Sequence, residues 1–304
     1  MSRPILVLSN ERDFAADLVV NHLRRLDFDV RRLNIETARS KPVDLWSPHE
    51  PRDSAGSVIW WRQFQLDQHP MSANEIDDVL VVRAQWRAWL STLSGPSDIW
   101  VNPLWAARRA ESKVDQLRTA LAVGLRVPRT AVTNDPSAAR LFREEVGEAV
   151  IKTAASAYYE FSDEAFVFTE MLDDRLLDQR DLWFDAPVTV QESLIDCLDA
   201  RVVSFGDQTF GARCLSKGTD WRKTPFDSTL WMSWNPPEDI RLGCSEYRAS
   251  FGLEYAAFDF MLRGDEAYFL EANQAGEWLF IERATSADIS SAFARHLALL
   301  ASSA

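Results

Sequence analysis

Cysteine, histidine and glycine are the scarce residues of this chain, and each scarcity removes a class of function. Three cysteines, Cys197, Cys214 and Cys244, occur in 304 residues. Their odd number and wide spacing fit neither a disulfide framework nor a zinc site, and point to a reduced, cytoplasmic protein. The four histidines, His22, His49, His69 and His296, are scattered. A zinc cluster or a His-based triad is therefore not expected, and His22 reads as a histidine at the edge of a core. The 11 glycines include no G-x-G-x-x-G, so the N-terminal region lacks a dinucleotide fingerprint. No apolar run approaches the roughly 20 residues that span a membrane, and Ile5-Leu-Val-Leu8 is too short for a signal peptide. Positive charge is also in deficit: 33 Lys and Arg stand against 46 Asp and Glu, a formal net charge of −13. That balance argues against a nucleic-acid partner. An anionic substrate such as a nucleotide would need local Lys, Arg or metal.

What is present is enough for two or three folded units, since 46% of the residues are hydrophobic and spread throughout. Ile5–Leu8, Asp29–Ile35 and Val58–Trp61 read as strands, with Arg62 ending the third. A helix with Phe14, Ala15, Leu18, Val19, His22 and Leu26 at helical spacing separates the first two. This strand–helix–strand order implies a parallel sheet. A long helical pattern runs from Ala73 to Leu93. After Trp100-Val-Asn-Pro103, a second pattern places Ala110, Val114, Leu117 and Leu121 on one apolar face and leaves Lys113 off it. Strands are expected at 130–133 and 149–153, with a helix over 138–146 between them. The segment from Glu160 to Asp185 is acidic around Leu172, Leu176 and Leu177. It reads as a solvated helix face or as a docking surface for a basic or amphipathic peptide. Pro187 to Leu194 is expected to open a third unit. Val202–Phe205 and Thr209–Arg213 follow as a hairpin in which Arg201 and Arg213 share a sheet face. Pro236 to Cys244 reads as irregular, with helix resuming at Glu246 and a last helix over 284–301. The 12 tryptophans are more than usual and suit the lining of a groove.

Two features carry chemistry. Lys152 ends a buried strand, where an unpaired charge is costly, so it needs a phosphate or a carboxylate partner. The stretch Gly252 to Trp278 contains Asp259 in an apolar run, a tight turn at Gly264-Asp265, and a return run delivering Glu271 and Asn273. Residues two apart on a strand share a face, so Glu271 and Asn273 project together, and the hairpin can bring Asp259 beside them. Three oxygen donors of this kind suit Mg²⁺. The competing reading is an ordinary hairpin whose polar side chains face solvent.

The order of these pieces, from about Ile5 to Glu282, resembles the ATP-grasp superfamily. It is most similar to the microviridin or graspetide synthetases, maturases that crosslink ribosomally made peptides. The resemblance runs through Val58-Ile-Trp-Trp-Arg62, Trp100-Val-Asn-Pro103, Glu111-Ser-Lys-Val-Asp-Gln-Leu-Arg118 and Gly124-Leu-Arg-Val-Pro-Arg-Thr130, and ends in Gly276-Glu-Trp278. It implies an α/β (α+β) ATP-grasp fold in three parts. These are a Rossmann-like pre-ATP-grasp domain (1–127), a central lid domain (128–186) and a C-terminal mixed-sheet domain with the metal site (187–304). It further implies that Lys113 and Lys152 hold the ATP phosphates. Gln191, Glu192, Ser193 and Leu194 would form the adenine hinge, with backbone groups of Glu192 and Leu194 reading the base. Asp199 would bind ribose, Arg213 would lie near the phosphates, and Asp259, Glu271 and Asn273 would ligate Mg²⁺. Ser112 stands where the family usually has Asn, and Asn273-Gln-Ala-Gly276 where Asn-Pro-Asn-Gly is common.

The implied activity is macrocyclisation of a precursor peptide through an acyl phosphate, with ATP and Mg²⁺ as cofactors and ester or amide crosslinks as products. Arg222 is the candidate for orienting the acyl phosphate, supported by Arg201. Lys217 lies with Arg222 in the polar loop Ser216–Lys223, which is expected to exclude water. The precursor leader would dock on the central domain, at residues 160–185. No nucleic-acid or membrane partner is expected, and the family habit implies a homodimer in the cytoplasm. The rival readings are an ATP-grasp carboxylate–amine ligase that adds a free amino acid or small amine, and a non-catalytic, nucleotide-responsive peptide-binding protein.

Overall fold

The computed structural model describes residues 2–40, 56–62, 76–153, 158–160, 164–166, 169–179, 183, 186–195, 197–217 and 230–303. The chain divides into two compact units, Met1–Leu104 with Asp288–Ala304, and Trp105–Ala287. The C-terminal segment therefore folds with the first unit and not with the third part expected from sequence.

In the first unit, β1 (Ile5–Ser9) lies between β2 (Val30–Asn34) and β3 (Val58–Trp61), and β4 (Ile99–Val101) follows on the outer side of β3. All these pairings are parallel, as the strand–helix–strand reading requires. Between β1 and β2 runs α1 (Phe14–Arg25), capped by Asp13, whose carboxylate accepts from the Ala16 amide at 3.0 Å. Its buried stripe, Ala15, Ala16, Val19, Val20 and Leu23, follows the helical period. It packs against α10 (Ile289–Ser302), whose Phe293 ring lies 4.9 Å from Trp60 of β3. On the other face, Leu8, Ile59 and Trp100 join Ile35 and Ala38 of α2 (Ile35–Ser40) and Leu90 of α3 (Ile76–Thr92). Parallel sheets need such cover on both faces.

The second unit begins within α4 (Leu104–Arg109), continues through α5 (Lys113–Ala122), and holds two main sheets. The first has the order β5-β10-β6-β9, made of Thr130–Thr133, Val188–Glu192, Ala149–Thr153 and Glu170–Met171 respectively. Thus β10, expected to open a third unit, is a central strand of this sheet and pairs antiparallel with both β5 and β6. Its core includes Ala139 of α6 (Pro136–Val146), and Leu172, Leu176, Leu177 and Trp183. The leucines flanking the acidic cluster are therefore interior. The short α7 (Asp174–Leu177) is tied to α6 through Asp174, which accepts from Arg140 and Arg143, both at 2.7 Å. A small ribbon pairs β7 (Tyr158–Glu160) with β8 (Glu164–Phe166).

The second sheet has the order β13-β12-β11-β14-β15, from Trp231–Ser233, Gln208–Lys217, Leu198–Phe205, Tyr255–Arg263 and Glu266–Asn273. Its strands pair antiparallel throughout. Among the described residues, its mixed character is carried by one isolated parallel bridge, Arg126 to Tyr268, on the β15 edge. One face is covered by α8 (Glu238–Phe251), which starts directly after Pro237 and stops at Gly252 with φ +74. Pro236-Pro237 thus precedes a helix, correcting the irregular reading of this stretch, because a proline at a helix start loses no internal hydrogen bond. Trp60, Trp183 and Trp278 are fully buried core residues. The final helical stretch is broken at Ser286, φ +56, into α9 (Leu279–Thr285) and α10.

Candidate active site

The face of the β13–β15 sheet away from α8 collects the carboxylates. On β14, Phe258 and Phe260 enter the α8-side core, so Asp259 and Met261 project the other way. Counting from the turn at Gly264, a regular hairpin would set Asp259 opposite Leu270 and bury Glu271 opposite Phe258. The register instead shifts: Phe260 pairs with Phe269, and Asp259 with Glu271. Leu270 is the extra residue of a β-bulge. Ala267, Phe269 and Ala272 stay in the core, while Glu271 and Asn273 turn to the face of Asp259. The bulge creates the carboxylate pair.

Two cations meet it. Arg201 of β11 pairs across with Asp259 and is 8% exposed. Its guanidinium donates to Asp259 Oδ1 at 2.6 Å and to the Glu277 carbonyl at 3.1 Å. Burial opposes its charge, yet Asp259, with Tyr255 and Glu271 further off, outweighs that and holds Arg201 more firmly protonated than usual. From α5, Lys113 Nζ lies 3.3 Å from Glu271 Oε2. The apolar face expected for α5 is corrected: Leu121 is 60% exposed, whereas Gln116 and Ala120 are buried and Leu117 packs on the core. Lys113 stands on that same stripe, at i−3 from Gln116, which is why it reaches β15.

Gln116 is a site residue that sequence reading missed. Its Oε1 accepts from the Ala272 amide at 2.9 Å, and its Nε2 donates to the carbonyls of Ala272 (3.0 Å) and Ala110 (2.6 Å). A glutamine in the middle of an apolar helical stripe was the available signal. Gly276, the first residue of the Gly276-Glu-Trp278 ending, packs against the same site. A Cβ there would lie 2.6 Å from Ala257 Cβ and 2.7 Å from Arg201 Nη2, and its carbonyl accepts from Tyr255 Oη at 2.7 Å.

Asp199 lies within β11, opposite Met261 and on the face of Arg201. The expectation that Arg213 shares that face is corrected. Its register partner is Ala200, a core residue beneath α8, while Arg201 pairs with Ala212. Regular counting back from the Gly206-Asp207 turn, with Phe205 opposite Gln208, sets this phase, and opposite residues of an antiparallel pair share a face.

Lys152 is placed by the other sheet. Its Nζ donates to Gln191 Oε1 at 2.8 Å. The hinge that follows is held by its own backbone: the Glu192 amide donates to Arg129 O (2.8 Å), the Ser193 amide to Glu148 O (2.9 Å), and Leu194 O accepts from Cys197 N (3.0 Å). Arg263, at the end of β14, reaches Glu192 Oε1 at 3.5 Å and Ser193 O at 3.3 Å, linking the hinge to the β14–β15 hairpin. Leu194, Cys197 and Met261 form a small apolar cluster beside it, with Tyr268 and Leu270. Arg222 and the side chain of Lys217 lie outside the described residues.

Among the described residues, no group of three or more His, Cys, Asp and Glu is placed to hold a metal. The trio Asp259, Glu271 and Asn273 offers two carboxylates and an amide, a hard oxygen set that fits Mg²⁺. Asn273 Oδ1 accepts from the Ala275 amide at 2.9 Å and keeps a second lone pair.

No protein-family model matches the chain, and no curated protein matches it. Solved structures do. The macrocyclase MdnC from Microcystis aeruginosa MRC, bound with precursor peptide MdnA, superposes with a TM-score of 0.83 at 23% identity, over 97% of this chain and 99% of that one. A Chryseobacterium gregarium RiPP-associated ATP-grasp ligase, in complex with ADP and a leader and core peptide, gives 0.81 at 23% identity over 97% and 96%. The ATP-grasp ligase PsnB, complexed with minimal precursor, Mg and ADP, gives 0.79 at 20% identity over 99% of each chain. The chain has the ATP-grasp fold. That fold accounts for the two sheets of the second unit, with Lys113 on the helix ahead of the first sheet and Lys152 on a strand within it, both before the carboxylates in sequence. No helix among the described residues is long and apolar enough to cross a membrane.

Proposed function

We propose that this chain is an ATP-dependent carboxylate ligase that macrocyclises a ribosomally made precursor peptide through side-chain esters or amides. The observation that carries the reading is the meeting of Lys113, Glu271, Asp259 and Arg201 at one sheet face of an ATP-grasp fold. The structural neighbours in complex with precursor peptides, ADP and Mg support it.

In this reading a peptide carboxylate oxygen attacks the γ-phosphorus of ATP, ADP leaves, and an acyl phosphate forms. A hydroxyl or amine of the same peptide then attacks the acyl carbon. The bond from that carbon to the phosphate oxygen breaks, its electron pair leaves with phosphate, and the nucleophile gives up its proton. Asp259, Glu271 and Asn273 would hold Mg²⁺, which supplies charge neutralisation on phosphoryl oxygens. Lys113 and Lys152 add ammonium charge to the phosphates. Glu192 and Leu194 read adenine through their backbone, and Asp199 takes the ribose. Arg201, with its bonds already given to Asp259 and Glu277, positions a carboxylate. Arg222 keeps the role of orienting the acyl phosphate, and Lys217 stays with it in the loop that excludes water. Arg213 is left out, since its register turns it toward α8.

The peptide leader docks on the central sheet near residues 160–185, and the protein works as a homodimer. Asp174 and Asp178 are already matched by Arg140 and Arg143, so only part of this acidity is open to a partner. The test is incubation with ATP, Mg²⁺ and the peptide encoded beside the gene, read by mass spectrometry. Loss of one water per crosslink is expected, and Glu271→Gln should abolish phosphate release while leaving the fold intact. Added mass would mean a carboxylate–amine ligase instead, and near-normal turnover by Glu271→Gln would remove the mechanism.

A further inference from the structure

We infer that Gln191 is a positioning residue for Lys152, an amide relay that aims its ammonium without neutralising it. The inference rests on the nucleotide reading above and goes beyond the hinge role expected of this residue. Gln191 is 3% exposed, in the central strand β10. It faces Thr130 of β5 directly and Val150 of β6 on its other side. Lys152 is then its diagonal neighbour, two residues along the same face and within reach of long side chains.

The hydrogen bonds have only one consistent direction. Thr130 Oγ1 donates its single hydrogen to the Pro128 carbonyl at 2.7 Å, so toward Gln191 it acts as an acceptor. Gln191 Nε2 donates to it at 2.7 Å. The amide orientation follows, and Oε1 is left facing Lys152 Nζ at 2.8 Å. A flipped amide would set its NH₂ against an ammonium, which has donors only, and its oxygen against a hydroxyl whose hydrogen is already given. The chain Lys152, Gln191, Thr130, Pro128 thus ends on the backbone and fixes the ammonium in one direction.

The choice of glutamine matters for charge. A carboxylate here would satisfy the same N–H but cancel the positive charge that an anion needs. The neutral amide oxygen satisfies one N–H and leaves the charge in place. Gln191→Glu is nearly isosteric, so it isolates that difference.

The experiment measures binding of ADP, ATP and adenosine to wild type, Gln191→Glu and Thr130→Val by calorimetry, with thermal melting as a fold control. In Gln191→Glu, affinity for ADP and ATP should fall about tenfold or more, and by a larger factor than affinity for adenosine, which carries no phosphate. Thr130→Val, which removes the anchor but adds no charge, should show the same phosphate-dependent pattern more weakly. Equal weakening of adenosine and ADP would mean a general packing role and overturn the inference. Unchanged ADP affinity in a folded Gln191→Glu protein would overturn it as well, leaving the ligase reading standing. A wild-type chain that binds neither ADP nor ATP would remove both.

Discussion

Gln116 hydrogen-bonds both backbone groups of Ala272, the residue between Glu271 and Asn273. Ala272 is on β15, an edge strand of its sheet, and the side-chain amide takes the place of the next strand there. The same helix carries Lys113 to Glu271, so one contact sets both the carboxylate strand and the lysine. Gln116→Leu would keep the volume but strand a buried N–H and C=O. A loss of about 2–4 kcal/mol is expected, measured by urea unfolding. A loss below about 0.5 kcal/mol would mean that water or a shifted strand replaces the amide.

Gly276 allows the Gly276-Glu-Trp278 turn to press against β14. Gly276→Ala would place a methyl inside contact distance of both Ala257 and Arg201. The Arg201 guanidinium then has to move, weakening its hold on the Glu277 carbonyl and on Asp259. Overpacking of this kind costs about 1–3 kcal/mol. The expected result is a lowered melting temperature together with weaker Mg²⁺–ADP binding. Wild-type behaviour in both would show that the turn has room to spare.

The first three strands of the first unit and the Gly264 turn were readable because each rests on local chemistry: apolar runs of strand length, and turn residues between them. The pairing of Asp259 with Glu271 was not, because regular counting from the turn sends Glu271 into the core, and only the bulge at Leu270 corrects the phase. The opposite faces of Arg201 and Arg213, by contrast, follow from regular counting back from the Gly206-Asp207 turn, which alternation along each strand taken alone does not apply. The stripe of α5 was misread for another reason. Val114 and Leu121 outweigh Gln116 on a hydrophobicity scale, yet a glutamine satisfying an edge strand is worth more there than an exposed leucine. The acidic side chains at 173–178 are exposed, as the solvated reading has them. The arginines that α6 brings to Asp174 and Asp178 come from 31 to 38 residues away in sequence and have no local signal.

Cys197, Cys214 and Cys244 are all free and buried. Burial pushes the Cys244 thiol well above its usual range, against a smaller opposing effect of Arg248. Native protein should therefore be inert to a thiol reagent such as DTNB at pH 8, and release three equivalents on denaturation. Stoichiometric labelling within minutes under native conditions would contradict the packing of these three sites.

Asp174 gives a pH signature. Its hydrogen bonds from Arg143 and Arg140 hold its carboxyl below the ordinary 3.8. The folded chain thus binds this proton less readily than the unfolded one. Its contribution to stability is full above 3.8, and is lost as pH falls through the lower, folded value. Because Asp174 is exposed at the surface, salt screens the interaction and the effect is modest. Asp174→Asn should melt at a lower temperature than wild type at pH 7 and low salt. The gap should narrow when NaCl is raised, and close as pH drops well below the ordinary aspartate value. A gap that persists unchanged in acid would mean that the asparagine disturbs the start of α7 and that the arginine pairs contribute nothing. A gap that widens toward low pH would reverse the sign and show that Asp174 is protonated more easily in the folded state.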